Sequence, residues 1–165
     1  MRKSWIKRGK KKLGKSPKYE NRRICDYMWG TIIILRDQIC KICLENIAMQ
    51  GHHIFAKREC PSTRYDLRIG IGVCGGCHDP KLHTNPEMYR HILIAHVGGQ
   101  ETYDRLKALA SIKTDPRHDY ALIELLLWQD LAEYGVERPD GWREWKEWKK
   151  EKWLRDIRKN APDYQ

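Results

Sequence analysis

Cysteines and histidines at metal-ligand spacing dominate the middle of this chain. Cys40-Lys41-Ile42-Cys43 and Cys74-Gly75-Gly76-Cys77 are two Cys-x-x-Cys pairs, His52-His53 lies between them, and His78 directly follows the second pair. Four thiolates in two such pairs are what one tetrahedral structural zinc ion takes. The competing reading is four reduced thiols packed in a small core. Zinc needs none of the histidines, so three imidazoles are left for other work. A neutral imidazole can bind a second metal or accept a proton near pH 7. Thirty residues separate the two pairs, more than the roughly 15–20 of many zinc ribbons, so that interval must hold structure of its own. Cys74-x-x-Cys77-His78 also satisfies the rule for covalent haem attachment, but haem would leave Cys40 and Cys43 unexplained. Cys25 and Cys60 have no partner at ligand spacing and read as free thiols.

The elements that would position these groups can be sketched from pattern. Residues 1–22 read as a flexible basic arm, 23–100 as a core carrying the zinc and histidine residues, and 101–165 as a helical extension. Tyr27, Met28, Ile32 and Leu35 predict a helix over 23–37, although the β-branched run 31–34 would also suit a strand. Residues 46–55 read as a short strand, a turn and the start of a second strand. On a strand His52 and His53 face opposite ways; at a strand end or bulge they could instead diverge around one site. Residues 56–70, polar and interrupted by Pro61, read as a loop. A helix is expected over 87–97, ended by Gly98-Gly99. Tyr103, Leu106, Leu109 and Ala110 form one apolar stripe. Asp119 can cap a helix over 120–134, stopped by Gly135. In a final helix, Trp142, Trp145, Trp153 and Ile157 share a face and Trp148 does not, either to pack on the domain or to meet a partner.

Charge is unevenly spread. The net charge is +10, and the first 23 residues hold eleven Lys/Arg and one acid, Glu20, while the remaining 21 basic and 21 acidic residues cancel. Lys7, Arg8, Lys10, Lys11 and Lys12 form the densest run. Such an arm attracts phosphate because binding releases condensed counterions; the plain alternative is a solubilising tail. No apolar run approaches the roughly 20 residues of a membrane span. The basic N-terminus has no apolar segment behind it, so a secretory signal is not expected. These features favour a cytoplasmic protein, and in a reducing compartment paired cysteines are metal ligands more often than disulfides.

The stretches Arg36-Asp37-Gln38-Ile39-Cys40, His52-His53-Ile54-Phe55, Arg64-Tyr65-Asp66-Leu67-Arg68, Val73-Cys74 to His78, and His83 resemble, in order and spacing, the HNH (ββα-metal, His-Me finger) endonucleases. Within them the chain is most similar to zinc-stabilised phage and prophage members such as the Rap/NinG-type recombination nucleases. The resemblance covers about 60 of 165 residues. It implies an α+β fold with a small ββα-metal core and a four-cysteine zinc site, flanked by helices. It implies a phage-encoded enzyme that hydrolyses DNA phosphodiester bonds in the bacterial host cytoplasm, nicking or processing branched recombination intermediates and leaving 5′-phosphate and 3′-hydroxyl ends. Carried over by position, His52 and His78 bind a catalytic divalent ion (Mg²⁺, Mn²⁺, Ni²⁺ or Zn²⁺), and His53 is the general base. His83 is a further ligand, a phosphate contact or a surface residue. The motif's middle Asn, which braces the loop positioning the base, falls near Ile69. Arg64, Arg68 and Lys81 flank the motif as phosphate contacts or ordinary solvated charges. Two other readings compete: a zinc-ribbon nucleic-acid-binding protein without catalysis, and an assembly protein that uses its tryptophan-rich terminal helix.

Overall fold

The computed structural model describes residues 17–112, 118–140 and 147–160. The expected phosphate-binding run Lys7, Arg8, Lys10, Lys11 and Lys12 lies outside them, as do Trp142 and Trp145. The fold is α+β. Helix α1 (Pro17–Asp37) is followed by strand β1 (Gln50–His53), strand β2 (Gly70–Val73) and a one-turn helix α2 (Gly75–Cys77) that continues into a π-helical turn, His78–His83. Helices α3 (Arg90–His96), α4 (Gln100–Ala110), α5 (Tyr120–Glu133) and α6 (Glu147–Asn160) complete it. No helix among the described residues is long and apolar enough to cross a membrane.

Among the described residues α1 is helical from Pro17 on, earlier than the pattern suggested. The β-branched run within it is helical. Residues 28–35 are buried all around the helix, with Met28, Trp29, Ile32 and Ile33 at 1% exposure or less. A helix buried on every side has no polar face to reveal its period. One side meets the sheet; the other meets α5 and α6 through Leu127, Trp128, Leu131, Trp153 and Ile157. Each large side chain so buried contributes roughly 1.5–3 kcal/mol. Gln38, at φ 51°, ends the helix.

The two strands pair antiparallel, with His52 opposite Ile71 and His53 opposite Gly70. This replaces the hairpin expected inside 46–55: the partner of β1 lies across the polar loop. Glycines let the sheet rest directly on α1. A Cβ on Gly70 would lie 2.4 Å from Ile33 Cδ1, and one on Gly72 2.7 Å from Asp37 Cβ. Asp37 Oδ2 accepts from the Gly72 amide at 2.6 Å, while Arg36 donates to the Leu67 and Gly70 carbonyls, both at 2.8 Å.

On the other side of the sheet, Ile71, Val73, Phe55, Cys60, Leu82 and Leu93 share a core with Tyr103, Leu106 and Ala110 of α4. A boundary at residue 100 would therefore cut through packed side chains. The expected helix over 87–97 is a 3₁₀ turn, Pro86–Tyr89, followed by α3. Cys25 and Cys60 form no disulfide among the described residues and are buried.

Candidate metal centre and adjoining histidine cluster

The first cysteine pair sits on a tight turn just past α1. The Leu44 amide donates to the Cys40 carbonyl at 2.9 Å, and Leu44 takes a left-handed φ of 59°. The Lys41 amide donates to Gly72 O at 3.0 Å, which ties this turn to β2. β2 then leads straight into the second pair, where the Cys77 and His78 amides both donate to Cys74 O. The Sγ atoms of Cys40, Cys43, Cys74 and Cys77 all lie within 4.8 Å of one another. Cys43 and Cys74 Sγ are 3.9 Å apart, close to the edge of about 3.8 Å that a tetrahedron with zinc–sulfur bonds of about 2.3 Å requires. The four cysteines are thus compatible with one structural zinc ion.

The thiols differ in environment. Amides at Asn46 and Glu45 pull Cys43 down to about 6. Burial pushes Cys77 up to about 12. Lys81 lies against the Cys77 sulfur, which holds its ammonium above the ordinary lysine range. This expected phosphate contact is therefore engaged at the cysteine cluster.

Strand alternation sends His52 and His53 to opposite faces of β1. His52 points away from α1, toward the helical segment after Cys77. There its ring centroid lies 5.2 Å from that of His78 and 5.0 Å from that of His83, and His78 and His83 are 4.6 Å apart. One ligand nitrogen from each lies within 4.8 Å of the others. His83 thus joins the cluster. In an α-helix, residues five apart point about 140° away from each other at about 100° per residue. The wider π turn over His78–His83 brings them to one side. Pro80, inside this turn, supplies no amide N–H and was the one sequence signal for it. Asp79 Oδ1 is 3.0 Å from His78 Nδ1, so it can orient that ring. Burial first, then the nearby His78 and His83, pulls His52 down to about 3. It is neutral at pH 7, as a metal ligand must be.

His53 faces α1. Its ring stacks on Trp29 at 3.8 Å with an interplanar angle of 19°, and its Nε2 lies 2.8 Å from the Arg64 carbonyl oxygen. Because a carbonyl can only accept, Nε2 carries the proton. Nδ1 is then the basic nitrogen; it is buried and has no hydrogen-bond partner among the described residues. Burial pulls His53 down to about 4 despite the carbonyl. Both His52 and His53 line one open cleft of about 890 Å³ that also contains His78, His83, Lys57 and Lys107.

The other flanking cations are committed. Arg64, expected at phosphates, forms a bidentate pair with Asp26 at 2.9 and 2.7 Å. Arg68 pairs with Asp66 at 2.6 Å. Lys57 and Lys107, which pattern did not single out, line the cleft with no carboxylate at ion-pair distance among the described residues. Ile69 is fully buried, and its carbonyl accepts from the Ile54 amide at 2.8 Å. Comparison with protein-family models, with curated proteins and with solved structures finds no match, so the functional reading rests on the site itself and on the motifs.

Proposed function

We propose that this protein is a metal-dependent endonuclease of the HNH kind that hydrolyses DNA phosphodiester bonds. The observation that carries the reading is the convergence of His52, His78 and His83 on an open cleft, apart from the cysteine cluster. Three imidazoles fit Mn²⁺, Ni²⁺ or Zn²⁺ better than Mg²⁺ by ligand softness. A divalent cation held there would offset the phosphate charge and favour departure of the 3′-oxygen.

The chain supplies the rest. His53 is the general base: with Nε2–H anchored on Arg64 O, its Nδ1 lone pair takes a proton from water. Lys57 and Lys107 face the cleft as cations for flanking phosphates. Action in phage recombination, by nicking or by processing branched DNA, rests on the motif resemblance alone.

The test is supercoiled plasmid incubated with Mn²⁺ or Mg²⁺. The native protein should nick it, and His53→Ala should do so at least about 10²-fold more slowly, with cysteine-bound zinc and DNA affinity retained. A second reading, a zinc-dependent nucleic-acid-binding protein without catalysis, is favoured by the burial of His53 Nδ1 and by apolar Ile69 at the motif Asn position. DNA binding without nicking in any divalent metal would establish that second reading and end the first.

A further inference from the structure

We propose that the ion pair between Asp26 and Arg64 is the positioning device for His53, holding the carbonyl that sets its tautomer in place of the missing motif Asn. The catalytic consequence rests on the endonuclease reading; the positioning itself does not.

The Arg64 carbonyl that receives His53 Nε2–H belongs to a turn between the strands, outside the sheet ladder. Its own side chain anchors it. The guanidinium fork meets both Asp26 carboxylate oxygens, at 2.9 and 2.7 Å, and both side chains are largely buried, 16% and 21% exposed. A bidentate fork fixes direction as well as distance, and burial shields it from salt. Asp26 is one helical turn before Trp29, whose ring stacks on the imidazole. Trp29 Nε1 also donates to Asp66 O at 3.3 Å, next along the loop. One face of α1 therefore grips the ring through Trp29 and its hydrogen-bond acceptor through Asp26.

No side chain at 69 could do this: Ile69 is apolar and turned into the core. The neutral imidazole has one proton to place. Fixing an acceptor at Nε2 leaves the lone pair at Nδ1, the nitrogen without a partner. If the acceptor moves, the proton can sit on either nitrogen, and the fraction of molecules with a basic Nδ1 falls. Asp26 and Arg64 are positioning residues, since neither reaches the cleft's imidazole cluster.

The experiment uses the full-length, zinc-loaded protein with ¹⁵N-labelled histidine at pH 8. Two-bond proton–nitrogen correlations identify each ring's tautomer. Native His53 should show Nε2–H alone. Asp26→Asn and Arg64→Gln should lose that single tautomer, and the kcat for nicking should fall about 10–100-fold with KM changed little, within the roughly 10²–10⁴-fold that a general base supplies. Arg64→Lys, which keeps charge but not the fork, should resemble Arg64→Gln. In a His53→Ala background, Asp26→Asn should have no further effect on nicking, an outcome that a merely structural role would not produce. Retention of Nε2–H alone in both variants, or its loss with unchanged kcat, would overturn the proposal. If the native protein does not nick, the endonuclease reading fails, and the tautomer measurement decides the positioning role by itself.

Discussion

The cysteine and histidine clusters draw on the same stretch of chain, yet they differ in how far they are closed to solvent. Cys40, Cys74 and Cys77 are 0%, 7% and 2% exposed, and all four cysteine donors converge, which leaves a bound ion no open position. The histidine cluster offers three donors beside a cleft of about 890 Å³, with room for further ligands from solvent or substrate. A closed set of soft ligands suits stability, whereas an open set of imidazoles is what the proposed hydrolysis would need. The segment after β2 belongs to both, for Cys77 and His78 are consecutive. Whatever disturbs the cysteine staple must therefore disturb the histidines, whereas the reverse need not hold.

That asymmetry can be broken or sharpened by experiment. The largest effect should follow Cys74→Ser or removal of the cysteine-bound metal. Structural zinc sites supply about 10–16 kcal/mol in small peptides, comparable to the whole 5–15 kcal/mol stability of a typical domain. Cooperative thermal unfolding should disappear, and nicking with it. An unchanged melting curve after verified zinc loss would remove the structural role. Next comes His53→Ala, with nicking down at least about 10²-fold and melting of the cysteine-stapled core preserved. Then His83→Ala should raise the divalent metal needed for half-maximal nicking by at least about 10-fold, read from a metal titration. No change there would confine the ligand set to His52 and His78.

Smaller effects test the frame that carries both clusters. Gly70→Val should cost about 1–3 kcal/mol by overpacking, because Ile33 Cδ1 already occupies the space of a Cβ. Gly75→Ala, within the second cysteine pair, has nothing within 4 Å of its new carbon and should stay within about 0.5 kcal/mol. Chemical denaturation separates them. Stability should also depend on pH through His53. Its folded pKa, about 4, lies below the ordinary 6.5, so between those values the unfolded chain binds the proton that the folded chain refuses. Stability from this group is thus full above pH 6.5 and is lost as pH falls toward 4. His53→Gln should remove its share of that slope and leave the share of His52, whose folded pKa of about 3 acts over the same range.

Several features were legible before folding was considered. The four cysteines were visible from spacing alone, as was the helix capped at Asp119, whose side chain accepts from the Ala121 and Leu122 amides. Gly98, at φ 93°, ends the helix before it as expected. The strand partner of β1 was hidden because its complement, Gly70–Val73, lies beyond a polar loop, and pairing is a long-range choice. That Tyr103, Leu106 and Ala110 of α4 pack against the cysteine-bearing core was hidden, because α4 shows its stripe openly while the surface that receives it is scattered along the chain. Arg64 and Lys81 read as free cations because a sequence does not show which carboxylate or thiol will lie against them.

What the chain order settled by itself was the inventory: four thiols in two short-spaced pairs, and histidines enough for a second site. Which histidines meet was decided by the third dimension. Strand alternation parted His52 from His53, placing neighbours in sequence on opposite faces of a sheet. A π turn then brought His83 beside His78, and the pairing of β1 with β2 carried both to His52. Contacts of this kind depend on backbone pitch and register, which residue types constrain only weakly until the core has formed around them.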